Sequence, residues 1–312
     1  MKKLLFLGAG GVGGYFGARL IEAGVDVSFL VRPARAVLLA EQGLKIRSPH
    51  GDLNLAVRCV TRDTVRPEYD LVLLAPKAYD LDDALESIAP AIGADTFVMP
   101  FLNGLGHLDV IDARFGAQRV LGGVAHIAAV LEADGSVRQL NPVHALIAGG
   151  RDTATQGAAG EFVALCSHAS FDATVTADIV ATLWEKWTFL ATLAGITTLM
   201  QGSIGEVMDT LLGESQVRRM YTECLSVADR SGRPVPDAAQ ARALRMLTQR
   251  GSSFTASMLR DLQAGLRTEH DHVLGHLVVR AQACGVDTPL LAAAHAHLQV
   301  LEARRQEPPP GK

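Results

Sequence analysis

Cysteine is scarce in this 312-residue sequence, and its copies lie far apart. They stand at Cys59, Cys166, Cys224 and Cys284. No two of them form a C-x-x-C pair, and a chain of this length can bury a sizeable core without disulfide bonds. The cysteine pattern therefore excludes a disulfide-stapled fold and suits a reducing compartment.

An excess of basic residues is also missing. Lys and Arg number 29 against 33 Asp and Glu, which gives a formal net charge of −4 at pH 7. Proteins that bind nucleic acid need clustered Lys and Arg to neutralise phosphates, so we expect no nucleic-acid partner. With 48% hydrophobic and 20% charged residues, the chain can build one large domain or two ordinary ones.

Long apolar runs are absent as well, and no stretch is long enough to span a membrane. The opening "MKKLLFLGAGG" resembles a secretory signal, but its apolar run covers only residues 4–7. That run is too short for the hydrophobic region of a signal peptide. We therefore expect a buried first strand, a cytoplasmic protein and no membrane partner.

The first half of the chain alternates between strand and helix patterns. Apolar, β-rich runs occupy residues 3–8, 25–31, 70–78 and 96–104, and a helical pattern covers 12–23. Strands that alternate with helices are typical of a doubly wound parallel sheet. The sequence therefore predicts an α/β fold with an N-terminal Rossmann-type sheet.

Residues 122–150 contain β-rich pieces around the turn "ADGS" and predict an antiparallel hairpin that extends the sheet.

The second half of the chain is predicted to be helical, because after about residue 178 only helical periodicity remains. We therefore predict a dinucleotide-binding domain at 1–176 and an all-α substrate and catalytic domain at 177–312. The tail at 306–312, "QEPPPGK", is expected to be disordered.

A glycine motif joins the first strand to the first helix. Gly8, Gly10 and Gly13 form G-x-G-x-x-G in the strand–turn–helix context that dinucleotide-binding sites require. The first glycine makes the tight turn, the second admits the pyrophosphate, and the third lets helix and strand pack closely. The predicted cofactor loop therefore comprises Gly8, Ala9, Gly10, Gly11, Val12 and Gly13. A glycine-rich turn without a ligand is the alternative.

Arg32 ends the second predicted strand, where an NAD site usually places Asp or Glu. An arginine favours the 2′-phosphate of NADP, and Arg35 could join it. The sequence therefore predicts NADP (NADPH) as the cofactor. The alternative is that both arginines are solvated surface residues.

Four further motifs are "PKAYD", "FLNGLG", "WEKW" and "SMLRDLQAGLRTEHDHVLG". Together with the glycine motif and Arg32, they resemble those of the ketopantoate reductases (2-dehydropantoate 2-reductases), and the likeness covers nearly the whole chain. The last motif is the most specific, because the family carries a similar S-M-x-x-D-x-x-x-G-x-x-T-E-x-D-x-x-x-G pattern. The key residues of these four motifs are Lys77, Asn103, Lys186, Ser257 and Glu269.

The resemblance implies an NADPH-dependent reductase of a 2-keto acid. It implies that the glycine loop, Arg32 and Lys77 contact the cofactor, and that Asn103 lies near the nicotinamide end and the substrate. Ala128 would line the cofactor cleft. It makes Lys186 the catalytic acid, in contact with the substrate. Glu269 would contact the cofactor or this lysine, and Ser257 would touch the substrate carboxylate.

The sequence departs from the family at three positions. The family carries asparagines four and eight residues after the catalytic lysine and another further along, where this chain has Leu190, Ala194 and Ile204. Residues four apart share one helix face, so the face beyond Lys186 is apolar here. Because an unpaired polar group costs roughly 1–3 kcal/mol, we expect ketopantoate to be a poor substrate.

Each candidate residue also has an ordinary structural interpretation. Lys186 could be a surface lysine, although the flanking Trp184 and Trp187 predict a partly buried setting. Glu269 could pair with Arg267 at the surface. Lys77 could be solvated at a strand end, while Asn103 could only form a turn and Ser257 only start a helix. A dinucleotide-binding redox sensor or regulatory protein without turnover therefore stays open as the alternative function.

The histidines offer a weaker pattern. His272 and His276 are four apart and could share a helix face, and His270 adjoins Asp271. We find no third ligand at a convincing spacing and predict no metal. His295 and His297 look structural. The apolar helical half is compatible with a homodimer interface but equally with a packed core.

Overall fold

The computed structural model describes residues 1–306. Among these residues, strand segments are confined to the first 175 positions. In chain order the strands are β1 (Lys3–Leu7), β2 (Asp26–Leu30), β3 (Leu44–Arg47), β4 (Leu53–Leu55), β5 (Arg58–Val60), β6 (Leu71–Leu74), β7 (Phe97–Pro100), β8 (Gly122–Leu131), β9 (Val137–Gly149) and β10 (Asp172–Val175).

Helices accompany the strands and then continue alone to the end of the described chain. They are α1 (Gly11–Glu22), α2 (Pro33–Gln42), α3 (Leu81–Ile88), α4 (Gly106–Phe115), α5 (Thr153–Leu165), α6 (Ile179–Met200), α7 (Ile204–Met208), α8 (Gly213–Arg230), α9 (Asp237–Leu247), α10 (Ser257–Gln263), α11 (His276–Ala283) and α12 (Pro289–Gln306). A π-helical turn, Asp271–Gly275, leads into α11.

The first sheet is the expected parallel one, in the order β5-β2-β1-β6-β7. All four strand pairs in it are parallel. Its strand β6 reads Leu-Val-Leu-Leu and is buried along its whole length. A strand covered on both faces needs this unbroken apolar run, as in doubly wound α/β folds. The predicted Rossmann-type sheet followed by an all-α region is confirmed.

The hairpin forms as predicted, but the prediction that it extends the first sheet is wrong. Strands β8 and β9 pair antiparallel and belong to a second sheet, ordered β10-β9-β3-β4 with β8 alongside β9. Strand β9 is 13 residues long and pairs parallel with both β3 and β10. Just before the hairpin, Val120 forms an isolated bridge with Val98 of β7, and the Leu121 amide donates to the Val98 carbonyl oxygen. Instead of joining the first sheet, the hairpin pairs with the short strand β3 through β9.

The described chain separates into two compact units. The first holds Met1–Leu102 and His107–Thr182; the second holds Asn103–Gly106 and the chain from Leu183 onward. The boundary at residue 176 stays a prediction. Within residues 1–306, no helix combines the length and apolarity needed to cross a membrane. The predicted disorder of the tail falls outside the described residues, apart from Gln306, where α12 ends.

Candidate functional site

The glycine loop in the first unit has the geometry that each glycine was expected to provide. Gly8 has φ +85°, a left-handed conformation that side chains disfavour. A Cβ on Gly13 would lie 2.7 Å from the carbonyl oxygen of Gly8, so helix and strand touch there. A Cβ on Gly10 would meet nothing within 4 Å, which leaves open space beside the backbone. The loop therefore fits a dinucleotide pyrophosphate.

Helix α1 begins directly in this loop. Its N-cap is Gly10, which contributes no side-chain hydrogen bond. The first amides of a helix have no intrahelical acceptor, and the helix dipole is positive at this end. The N-terminus of α1 is thus available for an anion such as a phosphate.

A cleft of about 570 Å³ opens over the loop. All six residues of the predicted cofactor loop line it, and so does Arg32. The lining also includes Arg62, which follows β5, Asp80, which immediately precedes α3, and Asp83 of α3. The cleft sits at the carboxyl ends of the parallel strands, where open α/β sheets bind their ligands.

Two exposed arginines stand at this cleft, and each faces an acidic residue of α3. The Nη2 atom of Arg32 lies 3.8 Å from Asp83 Oδ2. Arg62 Nη2 lies 3.6 Å from Glu86 Oε2. Exposed ion pairs of this kind stabilise a protein by roughly 0–1 kcal/mol, so both guanidinium groups can exchange partners at little cost.

Arg62 was not singled out from the sequence. It follows β5, which has only three residues and no alternating pattern strong enough to predict a strand. Its place at the cleft is evident only from the structure, where it comes two residues after the end of a strand that borders β2 in the sheet. The first unit therefore offers two arginines, not one, to an anionic group.

Arg35 lines the same cleft but is engaged with the backbone. Its Nη2 donates hydrogen bonds to the carbonyl oxygens of Ala9, at 3.1 Å, and Gly135, at 2.8 Å. Burial lowers the pKa of Arg35 from its ordinary value. Arg35 thus holds the glycine loop in place, and the structure does not pair it with Arg32 as the sequence suggested.

The other two cofactor residues predicted in the first unit are chain neighbours of residues that line the cleft. Lys77 follows Pro76, which lines it, and Ala128 lies three residues before Leu131, which also lines it. Neither belongs to the lining found within residues 1–306. Ala128 sits where the register between β8 and β9 shifts. At the next residue, a Cβ on Gly11 would lie 2.6 Å from the Ala129 carbonyl oxygen, so α1 starts against this strand.

Lys186 lies on the long helix α6, in the second unit, and is half-buried. Burial lowers its pKa to about 8, and the Glu269 carboxylate opposes that shift by raising it. A lysine with a pKa near neutrality can both carry positive charge and release a proton. The structure therefore brings Lys186 and Glu269 into one electrostatic environment.

The tryptophans on either side anchor this part of α6. Trp184 and Trp187 are 3% and 1% exposed, as the sequence led us to expect. Trp187 Nε1 donates a 2.8 Å hydrogen bond to the carbonyl oxygen of Val273, in the π-helical turn that follows Glu269. The guanidinium of Arg280 lies over the Trp184 ring at 5.4 Å. These contacts fix the orientation of α6 relative to the segment that carries Glu269.

The helix face beyond Lys186 is apolar, as predicted. Leu190 is half-buried, whereas Ala194 is 4% exposed and Ile204 is fully buried. Ile204 begins α7 and its amide donates to the carbonyl oxygen of Phe254. The three positions thus contribute hydrocarbon surface and no side-chain hydrogen-bonding group.

Asn103 begins a short segment, Asn103–Gly106, that clusters with the second unit. The backbone of Asn103 hydrogen-bonds the buried His272, whose pKa is lowered to about 4, chiefly by burial. A Cβ on Gly104 would lie 3.2 Å from the His272 carbonyl oxygen. Asn103 is therefore held next to the π-helical turn, at a histidine three residues after Glu269 in the chain.

Ser257 is the first residue of α10 and is exposed. The N-cap is Ala256, and no side chain caps this helix. The alternative that Ser257 only starts a helix therefore stays open beside its predicted contact with the substrate. Its hydroxyl group remains accessible from solvent.

Two family models together match most of the chain. The family model for ketopantoate reductase PanE/ApbA matches residues 4–150, and the model for the C-terminal domain of PanE/ApbA matches residues 178–302. The oxidoreductase YkpB of Bacillus subtilis strain 168, itself uncharacterised, is 34% identical over 306 residues. That alignment covers 97% of this chain and 100% of YkpB.

Solved structures of other proteins share the fold of this chain. The PanE/ApbA family ketopantoate reductase of Ralstonia eutropha JMP134 has a TM-score of 0.88 at 25% identity and covers 98% of this chain and 100% of its own. D-mandelate dehydrogenase, solved with NADH and anilino(oxo)acetate, has the same fold, with a TM-score of 0.88 at 23% identity and coverage of 98% and 100%. The chain belongs to the ketopantoate reductase family, a family of oxidoreductases.

Proposed function

We propose that this protein is an NADPH-dependent reductase of 2-keto acids in which Lys186 is the general acid. The observation that carries the proposal is the half-buried Lys186, whose pKa is lowered to about 8 beside Glu269. A protein that only senses a dinucleotide has no need of a proton donor with a pKa near neutrality. The redox-sensor alternative lacks an observation of this kind.

The residues of the first unit would hold the cofactor. The amides at the start of α1 would bind the pyrophosphate, and the open space at Gly10 admits it. Arg32, joined by Arg62, would bind a 2′-phosphate. When bound, NADPH would supply the hydride. D-mandelate dehydrogenase, which shares the fold, has been solved with the related cofactor NADH.

The residues of the second unit would stabilise the negative charge that forms on the ketone oxygen and supply the proton that neutralises it. Reduction of a ketone builds negative charge on its oxygen, and the Lys186 ammonium would stabilise that charge and then donate a proton from Nζ. Glu269 would keep the ammonium charged and oriented. Asn103 and Ser257 would position the substrate, the latter at its carboxylate. Lys77 and Ala128 stay predicted cofactor contacts, and a homodimer stays a prediction.

The proposal is tested by NADPH consumption with a panel of 2-keto acids that differ in side-chain size and polarity. Turnover of at least one acid at a typical enzymatic kcat/KM, about 10⁴ M⁻¹s⁻¹ or above, is the expected result. Tight NADPH binding without turnover of any acid in the panel would favour the redox-sensor alternative.

Cofactor choice follows from Arg32. Arg32→Asp should weaken NADPH binding about tenfold or more, because it removes a charge-assisted hydrogen bond and adds a second carboxylate beside Asp83. NADH binding should not weaken. The measurement is cofactor titration by fluorescence. Arg47→Asp is the matched control, since Arg47 is an exposed arginine in the same unit whose acidic partner is Asp134. Wild-type protein that binds NADH as tightly as NADPH would contradict the prediction.

The pH dependence follows from Lys186. Reduction needs the protonated lysine, which predominates below a pKa of about 8. We expect kcat/KM for reduction to stay level below this pH and to fall about tenfold per pH unit above it. For the reverse oxidation, which needs the neutral amine, kcat/KM should rise with pH and level off above the same value. Steady-state rates in both directions over roughly pH 6 to 10 would show opposite slopes. Parallel slopes would exclude Lys186 as the titrating group.

A further inference from the structure

Three side chains of the second unit that the proposed reaction does not use converge at one point. They are His270, which precedes the π-helical turn, Asp271, which begins it, and His295 of α12. Their ligand atoms all lie within 4.8 Å of one another. His295 Nε2 lies 2.9 Å from Asp271 Oδ1, and His270 Nε2 lies 3.5 Å from the same oxygen.

These distances match a metal polyhedron. A tetrahedral ion with ligands at about 2.0–2.1 Å separates neighbouring ligand atoms by roughly 3.3 Å. The two distances to Asp271 Oδ1 lie on either side of that value. The two imidazole nitrogens lie within 4.8 Å of each other, so an ion at a common centre would draw them together.

A hydrogen bond with Thr268 orients the His270 ring so that its Nε2 atom faces the proposed metal position. His270 Nδ1 lies 2.9 Å from Thr268 Oγ1, and both residues are buried. In the tautomer that carries its proton on Nδ1, His270 donates to this hydroxyl oxygen and leaves a lone pair on Nε2. Outer hydrogen bonds of this kind orient the histidine ligands of metal sites.

The imidazole ring of His295 packs directly against the backbone of Gly275. A Cβ on Gly275 would lie 2.8 Å from His295 Nε2, closer than real Cβ contacts come. Glycine at this position thus makes room for the ring nitrogen. The π-helical turn between His270 and Gly275 is an uncommon geometry that often marks functional sites.

The two histidines of the cluster are largely buried, whereas the aspartate is exposed to solvent. The side chains of His270 and His295 are 5% and 15% exposed, whereas that of Asp271 is 71% exposed. The two imidazoles are thus fixed by packing, and the carboxylate side is open to solvent. An ion could enter from that side and keep water in a fourth position, as sites with three protein ligands do.

We propose that His270, Asp271 and His295 bind a divalent transition-metal ion, with two imidazole nitrogens and one carboxylate oxygen as ligands. Two histidines with one carboxylate suit zinc, iron(II) or cobalt(II) better than magnesium or calcium, which prefer oxygen ligands. The ion would join α12 to the segment that carries Glu269.

The test is a titration of tag-free, chelator-treated and dialysed protein with ZnCl₂, followed by isothermal calorimetry and by thermal unfolding. We expect one zinc ion per chain, a Kd in the micromolar range or tighter, and a metal-dependent rise in Tm. Cobalt(II) should give the intense visible absorption of a tetrahedral site. None of these readouts depends on NADPH or turnover, so failure here is distinct from failure of the proposed reductase activity.

Three variants make the test decisive. Asp271→Asn and His295→Gln should each weaken zinc binding at least about tenfold. Asp271 is exposed, so its near-isosteric replacement leaves the fold intact, which circular dichroism checks. His168→Gln removes an exposed histidine of the first unit and should change nothing. Absence of zinc binding to the wild type overturns the site, and so does zinc binding that survives both variants. In either case the three side chains form only a hydrogen-bonded cluster.

Discussion

Lys186→Ala should lower kcat for 2-keto acid reduction by about 10²–10⁴-fold, the usual scale for a lost general acid. In the proposed mechanism the ammonium acts on the charge that develops on the ketone oxygen, so its loss would fall on the transition state. NADPH affinity should change little, because the predicted pyrophosphate and 2′-phosphate contacts lie in the first unit. Steady-state kinetics and NADPH titration by fluorescence measure the two effects separately.

Two further variants sharpen this result. Lys45→Ala removes a lysine that donates to Gln42 in the first unit, and it should leave kcat unchanged. Glu269→Ala should reduce kcat less than Lys186→Ala if the carboxylate only orients the lysine, and it should weaken NADPH binding if the carboxylate reaches the cofactor. A Lys186→Ala protein with wild-type kcat would disprove the mechanism.

Ketopantoate should be a poorer substrate than its analogue without the hydroxyl group, 3,3-dimethyl-2-oxobutanoate, by about 5- to 150-fold in kcat/KM. This range corresponds to roughly 1–3 kcal/mol for a hydroxyl that is buried without a partner. The apolar residues Leu190, Ala194 and Ile204 offer no side-chain group to pair with it. The two acids differ by one oxygen atom, so the ratio of their kcat/KM values isolates this interaction.

A polar residue on the same helix face should reverse part of the discrimination. Leu190 is half-buried, so Leu190→Asn can be accommodated and should raise the relative kcat/KM for ketopantoate. Leu211→Asn is the control, because Leu211 is 99% exposed and lies between α7 and α8. A wild-type enzyme that prefers ketopantoate would show that other groups bind the hydroxyl.

The sequence predicts the first sheet well because each of its long strands is a buried apolar run next to a helical pattern. The glycine loop is equally predictable from the sequence, because its glycine spacing, its strand and its helix all lie within the first 22 residues. Strands β3, β4 and β5 escape prediction because they are short and interrupted by charged or polar residues, whereas β6 and β7 are equally short but wholly apolar. Without β3, nothing in the sequence indicates that the β8–β9 hairpin has another sheet to join.

The candidate site shows the same limit. Lys186 and Glu269 were recognisable from their motifs, and the tryptophans correctly indicated burial of the lysine. Arg62 was missed because it depends on the unpredicted strand β5. The approach of His295 to Asp271 was missed because 24 residues separate them, and no periodic pattern reports a contact between different helices. Side-chain pairs brought together by tertiary packing are the part that sequence patterns do not carry.

The pairing of β3 with β9 has a consequence for how the chain is made. Ile46 and Arg47 find their partners, Val137 and Arg138, about 90 residues later in the chain. At roughly 5–20 residues per second, a ribosome needs about 5–18 s to deliver those partners. During that interval β3 has only β4 beside it, and its other edge is open. The strand carries the charged Lys45 and Arg47, and charged side chains of this kind oppose the pairing of an open strand edge with other chains.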